Sequence, residues 1–143
     1  LRINLHPNLM SLDVAQLRTV ESLDIGVTNL SELGFPALNS VSTDFNVRGH
    51  DSLVDIAAPN LTEVGRHFRL DYNDSLIRIS FPELSRVGGD FYMTSNVQLP
   101  VCLVDRLIGQ IMSRLGIDGS VYSAGREDCT CSEVDGETVA SCP

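Results

Sequence analysis

Phe68-Arg69-Leu70-Asp71-Tyr72-Asn73-Asp74-Ser75-Leu76-Ile77-Arg78-Ile79-Ser80-Phe81-Pro82-Glu83-Leu84-Ser85-Arg86-Val87-Gly88-Gly89-Asp90 is one 23-residue unit of a chain that repeats itself. Aligning Leu1, Leu23, Phe45, Phe68 and Phe91 brings the other positions into line. Ile3, Ile25, Val47, Leu70 and Met93 follow two residues on, and Leu9, Leu30, Leu53, Leu76 and Leu99 follow further along. Leu12, Leu33, Ile56 and Ile79 form a third set, and Val20, Val41, Val64 and Val87 close the units. Pro36, Pro59 and Pro82 recur, each two residues before Leu38, Leu61 or Leu84. A fixed period of 22–23 residues marks a solenoid, whose units stack to share one core.

Within each unit the start alternates: Phe45-Asn46-Val47-Arg48, Phe68-Arg69-Leu70-Asp71 and Phe91-Tyr92-Met93-Thr94 read as short strands with one face inward. Matching positions stack, so the strands pair in parallel, about 4.8 Å apart. Phe45, Phe68 and Phe91 then form an inner aromatic column, each ring worth about 1.5–3 kcal/mol on burial. Turn formers follow at His6-Pro7-Asn8, Gly49-His50-Asp51, Tyr72-Asn73-Asp74 and Ser95-Asn96. A second strand or bend runs through the Leu/Ile positions, and Gly65, Gly88 and Gly89 mark the last corner. A unit this short, holding three corners, fits a β-helix coil better than a horseshoe repeat with a full helix.

The expected architecture is therefore mainly β: a parallel β-solenoid of about five coils over residues 1–99 (1–22, 23–44, 45–67, 68–90, and the start of a last coil at 91–99). Residues 100–143 form a C-terminal cap within the same domain. Leu103, Leu107, Ile111 and Leu115 recur every fourth residue, with Val104 and Ile108 beside them. That pattern predicts an amphipathic helix over 101–115, with Pro100 at its start and Gly116 past its end, sealing the open core. Residues 119–123 are expected as a final strand. The N-terminal end shows no comparable cap, so its open coil is expected to be covered by preceding sequence or to stack on another molecule. The start at Leu1, inside a repeat and without a signal peptide, reads as that of a mature or trimmed chain.

Four cysteines, Cys102, Cys129, Cys131 and Cys142, all lie after the repeats. Their even number and clustering predict two disulfides and an oxidising compartment. Cys102 with Cys129, and Cys131 with Cys142, is the preferred pairing. A lone C-x-C with no adjacent histidine is a poor zinc site. No stretch of 18 apolar residues is present to span a membrane. The net charge of −9, from 19 acids against 10 arginines and no lysine, argues against nucleic acid and anionic membrane as partners. Glu127, Asp128, Glu133, Asp135 and Glu137 crowd the tail and read as a solvated face, with docking of a basic partner or cation the alternative.

Phe81-Pro82-Glu83-Leu84-Ser85-Arg86-Val87-Gly88-Gly89-Asp90-Phe91 resembles the F-P-x-L-x-x-V-G-G-x-F phrase of receptor L domains. Pro59 to Gly65 and Pro36 to Val41 carry further copies, and the likeness covers about residues 1–99. That family includes ligand-binding domains of insulin- and growth-factor-type receptors, fungal cell-wall proteins and bacterial surface proteins. The ending from Leu99 through Cys131 is most similar to secreted bacterial members. The resemblance implies a right-handed β-helix without catalytic activity, and it names no ligand. The cysteine-rich modules that flank receptor L domains are absent from this sequence.

Few residues point to chemistry. The histidines are His6, His50 and His67, and no H-E-x-x-H, G-x-S-x-G or phosphate-loop motif is present. His50-Asp51-Ser52 is a local cluster and not an ordered triad. His6 and His50 fall two coils apart, about 10 Å by strand spacing, too far to share a metal. Asp71-x-Asn73-Asp74 lacks the glycine and distal glutamate of an EF-hand loop. No cofactor is expected. Asn29, Asn60 and Asn73 begin N-glycosylation sequons, which would matter in a eukaryotic secretory pathway.

Outward ladders run Arg2, Asp24, Asn46, Arg69, Tyr92 and Asn4, Gly26, Arg48, Asp71, Thr94. They mix acids and bases and lack the T-x-T rows of an ice-binding face. The reading that follows is a non-catalytic extracellular, cell-surface or periplasmic module that binds protein or glycan through Arg48, Arg69, Asp71 and Tyr92. The alternatives are an assembly protein of the cell envelope, stacking through its first coil, and a polysaccharide-cleaving β-helix enzyme.

Overall fold

The computed structural model describes residues 1–143. Its strands form three parallel ladders, one along each side of a solenoid. The first sheet has six strands, in the order Arg2–His6, Leu23–Thr28, Phe45–Arg48, Phe68–Asp71, Phe91–Met93 and Val121–Ser123. The second has three, Glu32–Gly34, Asp55–Ala57 and Arg78–Ser80. The third has five two-residue strands, Thr19–Val20, Ser40–Val41, Glu63–Val64, Arg86–Val87 and Gly116–Ile117. The count is about four turns, not five: the first coil has no strand in the second sheet, and a helix replaces that strand after Leu99.

Register follows the repeat. Leu23 pairs with Phe45, Phe45 with Phe68, and Phe68 with Phe91, so like side chains meet like. The Phe45 and Phe68 rings stack at 4.9 Å and the Phe68 and Phe91 rings at 5.1 Å, nearly coplanar in direction. Phe35 and Phe81 approach this column edge-on. They occupy the position held by small, fully buried Ala58 in the coil between, which leaves room for both rings. At Gly65 and Gly88 the coils touch backbone to backbone. A Cβ on Gly65 would lie 2.0 Å from the Ser42 carbonyl oxygen, so glycine is required there by close approach.

One corner is built the same way in every coil. Leu5, Val27, Gly49, Tyr72 and Ser95 all have positive φ, between 49° and 72°. This left-handed residue turns the chain so that the next side chain points inward. From the second coil on those next side chains are Thr28, His50, Asn73 and Asn96, all four of which are buried, whereas His6 at the matching place in the first coil is exposed. They make an internal polar ladder. His50 N–H donates to Asn73 Oδ1 at 3.2 Å, and Asn73 N–H donates to Asn96 Oδ1 at 3.1 Å. Asn73 Nδ2 donates to Val47 C=O and Asn96 Nδ2 to Leu70 C=O, so each amide satisfies backbone groups that the corner frees from the sheets.

The helix spans Val101–Met112, three residues shorter than its periodicity suggests. Val104, Leu107 and Ile111 seal the core end, but Leu115 is 69% exposed. The helix stops because the third sheet claims the chain: Leu115 and Gly116 N–H both donate to Ser85 C=O, and Gly116–Ile117 then pairs with Arg86–Val87. Gly116 makes this exit with φ +93°. The expected last strand is present as Val121–Ser123.

Both disulfides are present, with a pairing other than the one expected. Cys102 joins Cys131, and Cys129 joins Cys142. The reason is the antiparallel hairpin Thr130–Val134 with Glu137–Ser141. Its register sets Thr130 opposite Ser141, which places Cys129 directly across from Cys142. Cys131 is left to reach Cys102 on the helix, and that bridge ties the hairpin to the cap.

Candidate functional site

The outward face of the first sheet carries the residues singled out from the sequence, and the register brings them together. Asn46 pairs with Arg69, Arg69 with Tyr92, and Tyr92 with Tyr122. The Arg69 guanidinium lies 4.3 Å from the Tyr92 ring centroid, and the Tyr92 and Tyr122 rings stack at 4.8 Å. The cation, the two rings and the strands beneath them thus form one ordered column. Tyr122 was not visible as a member, because its strand follows the helix and stands outside the repeat period. The signal that could have found it is the alternation in Val121-Tyr122-Ser123, which matches Phe91-Tyr92-Met93.

The column is braced from below. Tyr92 OH donates to Asp90 Oδ2 at 3.0 Å, and Ser120 N–H donates to Asp90 Oδ1 at 2.8 Å. The bond from the Ser120 amide, then that from Tyr92, holds the Asp90 carboxyl below its ordinary value, while bonding to Asp90 raises the Tyr92 phenol. His67 Nδ1 accepts from Asp90 N–H at 3.0 Å and fixes that corner.

Asp71 is not presented to a ligand as expected. It is 6% exposed, and its Oδ1 accepts from both the amide and the hydroxyl of Thr94. Its other oxygen lies 3.5 Å from Arg69 Nε, so Asp71 positions the arginine. Arg48 is exposed and has no acid within ion-pair distance, and so it is the free cation of the face. The two buried side-chain polar atoms without a hydrogen bond, Asn46 Oδ1 and Arg69 Nε, stand on adjacent rungs of the column, the latter only within ion-pair distance of Asp71.

Asp24 also serves the sheet. Burial alone would raise its pKa, but bonds from Asn4 and Arg2 prevail and hold it low. The sequon residues divide. Asn29 and Asn60 are exposed, whereas Asn73 is fully buried with its amide nitrogen bonded inside, so it is no glycan acceptor. The same inward turn removes Asn73 from any cation loop with Asp71 and Asp74.

His50 occupies a rung of the internal ladder. Its Nε2–H donates to Ile25 C=O at 3.2 Å, which leaves Nδ1 to accept from the Thr28 amide and hydroxyl. Burial holds this imidazole below its ordinary value of 6.5 against the pull of those backbone bonds. The unfolded chain binds a proton on His50 near pH 6.5 and the folded chain does not, so stability is complete above that pH. It falls as pH drops through the depressed folded value. Urea midpoints measured from pH 7.5 to pH 5 should therefore decline, and His50→Asn, which restores the asparagine rung, should flatten the decline. A slope unchanged in the variant would assign the acid sensitivity elsewhere.

Comparison with protein-family models, curated proteins and solved structures finds no match for this chain.

Proposed function

We infer that the protein is a non-catalytic recognition module of the extracellular space, cell surface or periplasm, binding protein or glycan through the outward face of its first sheet. The observation that carries this reading is the column of Arg69, Tyr92 and Tyr122, ordered by stacking and left uncovered beside the free cation Arg48. Aromatic and arginine side chains held in place lose little freedom on binding, which favours recognition. Two disulfides fit an oxidising compartment, and no helix is long and apolar enough to cross a membrane. The resemblance to receptor L domains supports the same reading. Catalysis is disfavoured because Asp24 and Asp71, the carboxylates of this face, are spent on Arg2, Asn4, Asn46 and Thr94.

Glycan and surface-protein arrays test this. The intact protein should bind a defined subset of spots, and Tyr122→Ala combined with Arg48→Ser should weaken that binding at least tenfold while the variant stays folded by circular dichroism. No signal above background on either array, or binding indifferent to the double variant, would refute it.

A second reading, assembly through the first coil, rests on its apolar surface. Leu5 and Met10 are 75% and 73% exposed, and Ile3, Leu9 and Leu12 line a hollow of about 580 Å³. Light scattering across a concentration series separates the two readings, because a strict monomer removes the second.

A further inference from the structure

The second sheet ends with an open edge inside the molecule. In the earlier coils its terminal groups are passed to the next coil: Phe35 N–H donates to Ala57 C=O, Ala58 N–H donates to Ser80 C=O, and Val54 C=O accepts from Ile77 N–H. The equivalent groups of the fourth coil are Phe81 N–H and Ile77 C=O, and neither makes a hydrogen bond within the protein. The strand that would meet them is missing because the chain turns at Pro100 into the helix. Helix side chains cap only the carbonyls beyond the strand. Gln110 Nε2 donates to the C=O of Phe81 and Leu84, and the Arg114 guanidinium donates to Pro82 C=O. Unpaired N–H groups on a residue as buried as Phe81 are rare in folded proteins.

The space beside this edge is a groove of about 1020 Å³. Ile77 and Phe81 at the strand edge, Leu103 of the helix, and Val139 and Ala140 of the disulfide-bonded hairpin all line it. Charge selects its occupant only weakly, because the arginines on its rim are already paired and Glu137 is the one lining charge without an ion pair. Arg78 bonds Asp55, Arg106 bonds Glu133, and Arg126 bonds Asp128.

We propose that this groove is a docking site for an extended segment of a partner polypeptide, which adds to the second sheet as a fourth strand beside Arg78–Ser80. The occupant is identified by the spacing of the unpaired groups. Phe81 N–H and Ile77 C=O lie four residues apart on one strand edge, about 13 Å, and by alternation the N–H and C=O of Ile79 share that side. A row of alternating donors and acceptors at that repeat is matched by another extended backbone. Ile77 and Val139, both partly exposed, then contact apolar side chains of the added strand. The wall is held by two disulfides and needs little ordering on binding. This site is separate from the outward face of the first sheet, and either can fail without the other.

The test titrates the isotope-labelled intact protein with a synthetic nonapeptide of residues 52–60, Ser52 to Asn60, the segment that already pairs with the other side of Arg78–Ser80. Saturable shifts and at least tenfold slower hydrogen exchange are expected at the Phe81 and Ile79 amides, little changed by raised salt. N-methylation of alternate residues along one edge of the peptide should abolish binding, and methylation along the other edge should spare it. Val139→Arg should weaken binding at least tenfold. No response at Phe81, or equal binding of both methylated peptides, overturns the proposal. Protection of Phe81 that grows with protein concentration and needs no peptide would give the groove to a second copy, and would also overturn it.

Discussion

Phe68→Ala is expected to cost about 3–5 kcal/mol, a large part of the roughly 5–15 kcal/mol that holds a domain folded. The Phe68 ring is fully buried and touches Phe45, Phe91 and Phe81 at centroid distances of 4.9, 5.1 and 5.3 Å. Removing it opens a void through the middle of the stack. The void cannot close, because three sheets of parallel hydrogen bonds fix the distance between coils on every side. Phe68→Leu keeps much of the volume and should cost less than the alanine change. Urea unfolding followed by circular dichroism measures both. A loss below about 1 kcal/mol for the alanine variant would mean that the rings do not form one continuous core.

Replacing Cys102 and Cys131 together by serine is the second large change. Their bridge closes a separation of 29 residues, and its loss is worth about 3–4 kcal/mol of chain entropy in the unfolded state. For a chain of this size the midpoint of thermal unfolding should fall on the order of 10 °C. The structural reason is that the hairpin is tied to the helix through this bond, and the helix seals the core through Val104, Leu107 and Ile111. Replacing Cys129 and Cys142, separated by 13 residues within the hairpin, should cost less. Peptide mapping without reduction checks the pairing directly. A fragment joining Cys102 to Cys129 would contradict the hairpin register.

Much of the fold can be read from the period alone. Phe45, Phe68 and Phe91 stack as like on like, as do Val41, Val64 and Val87, because in a solenoid the neighbour of each residue is its own counterpart. The outward order of Arg69 and Tyr92 follows from the same rule. The rung shared by Thr28, His50, Asn73 and Asn96 is also written in the period, although His50 and Asn73 resemble ordinary corner residues until the positive φ before them turns each inward. The edge-on rings of Phe35 and Phe81 depend on the small Ala58 between them, a packing fact that no alternation pattern carries.

The repeat by itself determined the parallel stack, the inward columns and the face on which Arg48, Arg69 and Tyr92 stand, since one coil's pattern is enough to place the next. The tertiary structure alone decided which cysteines join, where the helix ends, that Asp71 is spent on Thr94 and Arg69, and that the second sheet keeps an open edge. Each of those outcomes turns on a side chain's bonding or on a contact between the repeats and the cap. Such contacts have no period, and distance in space, not spacing along the chain, settles them.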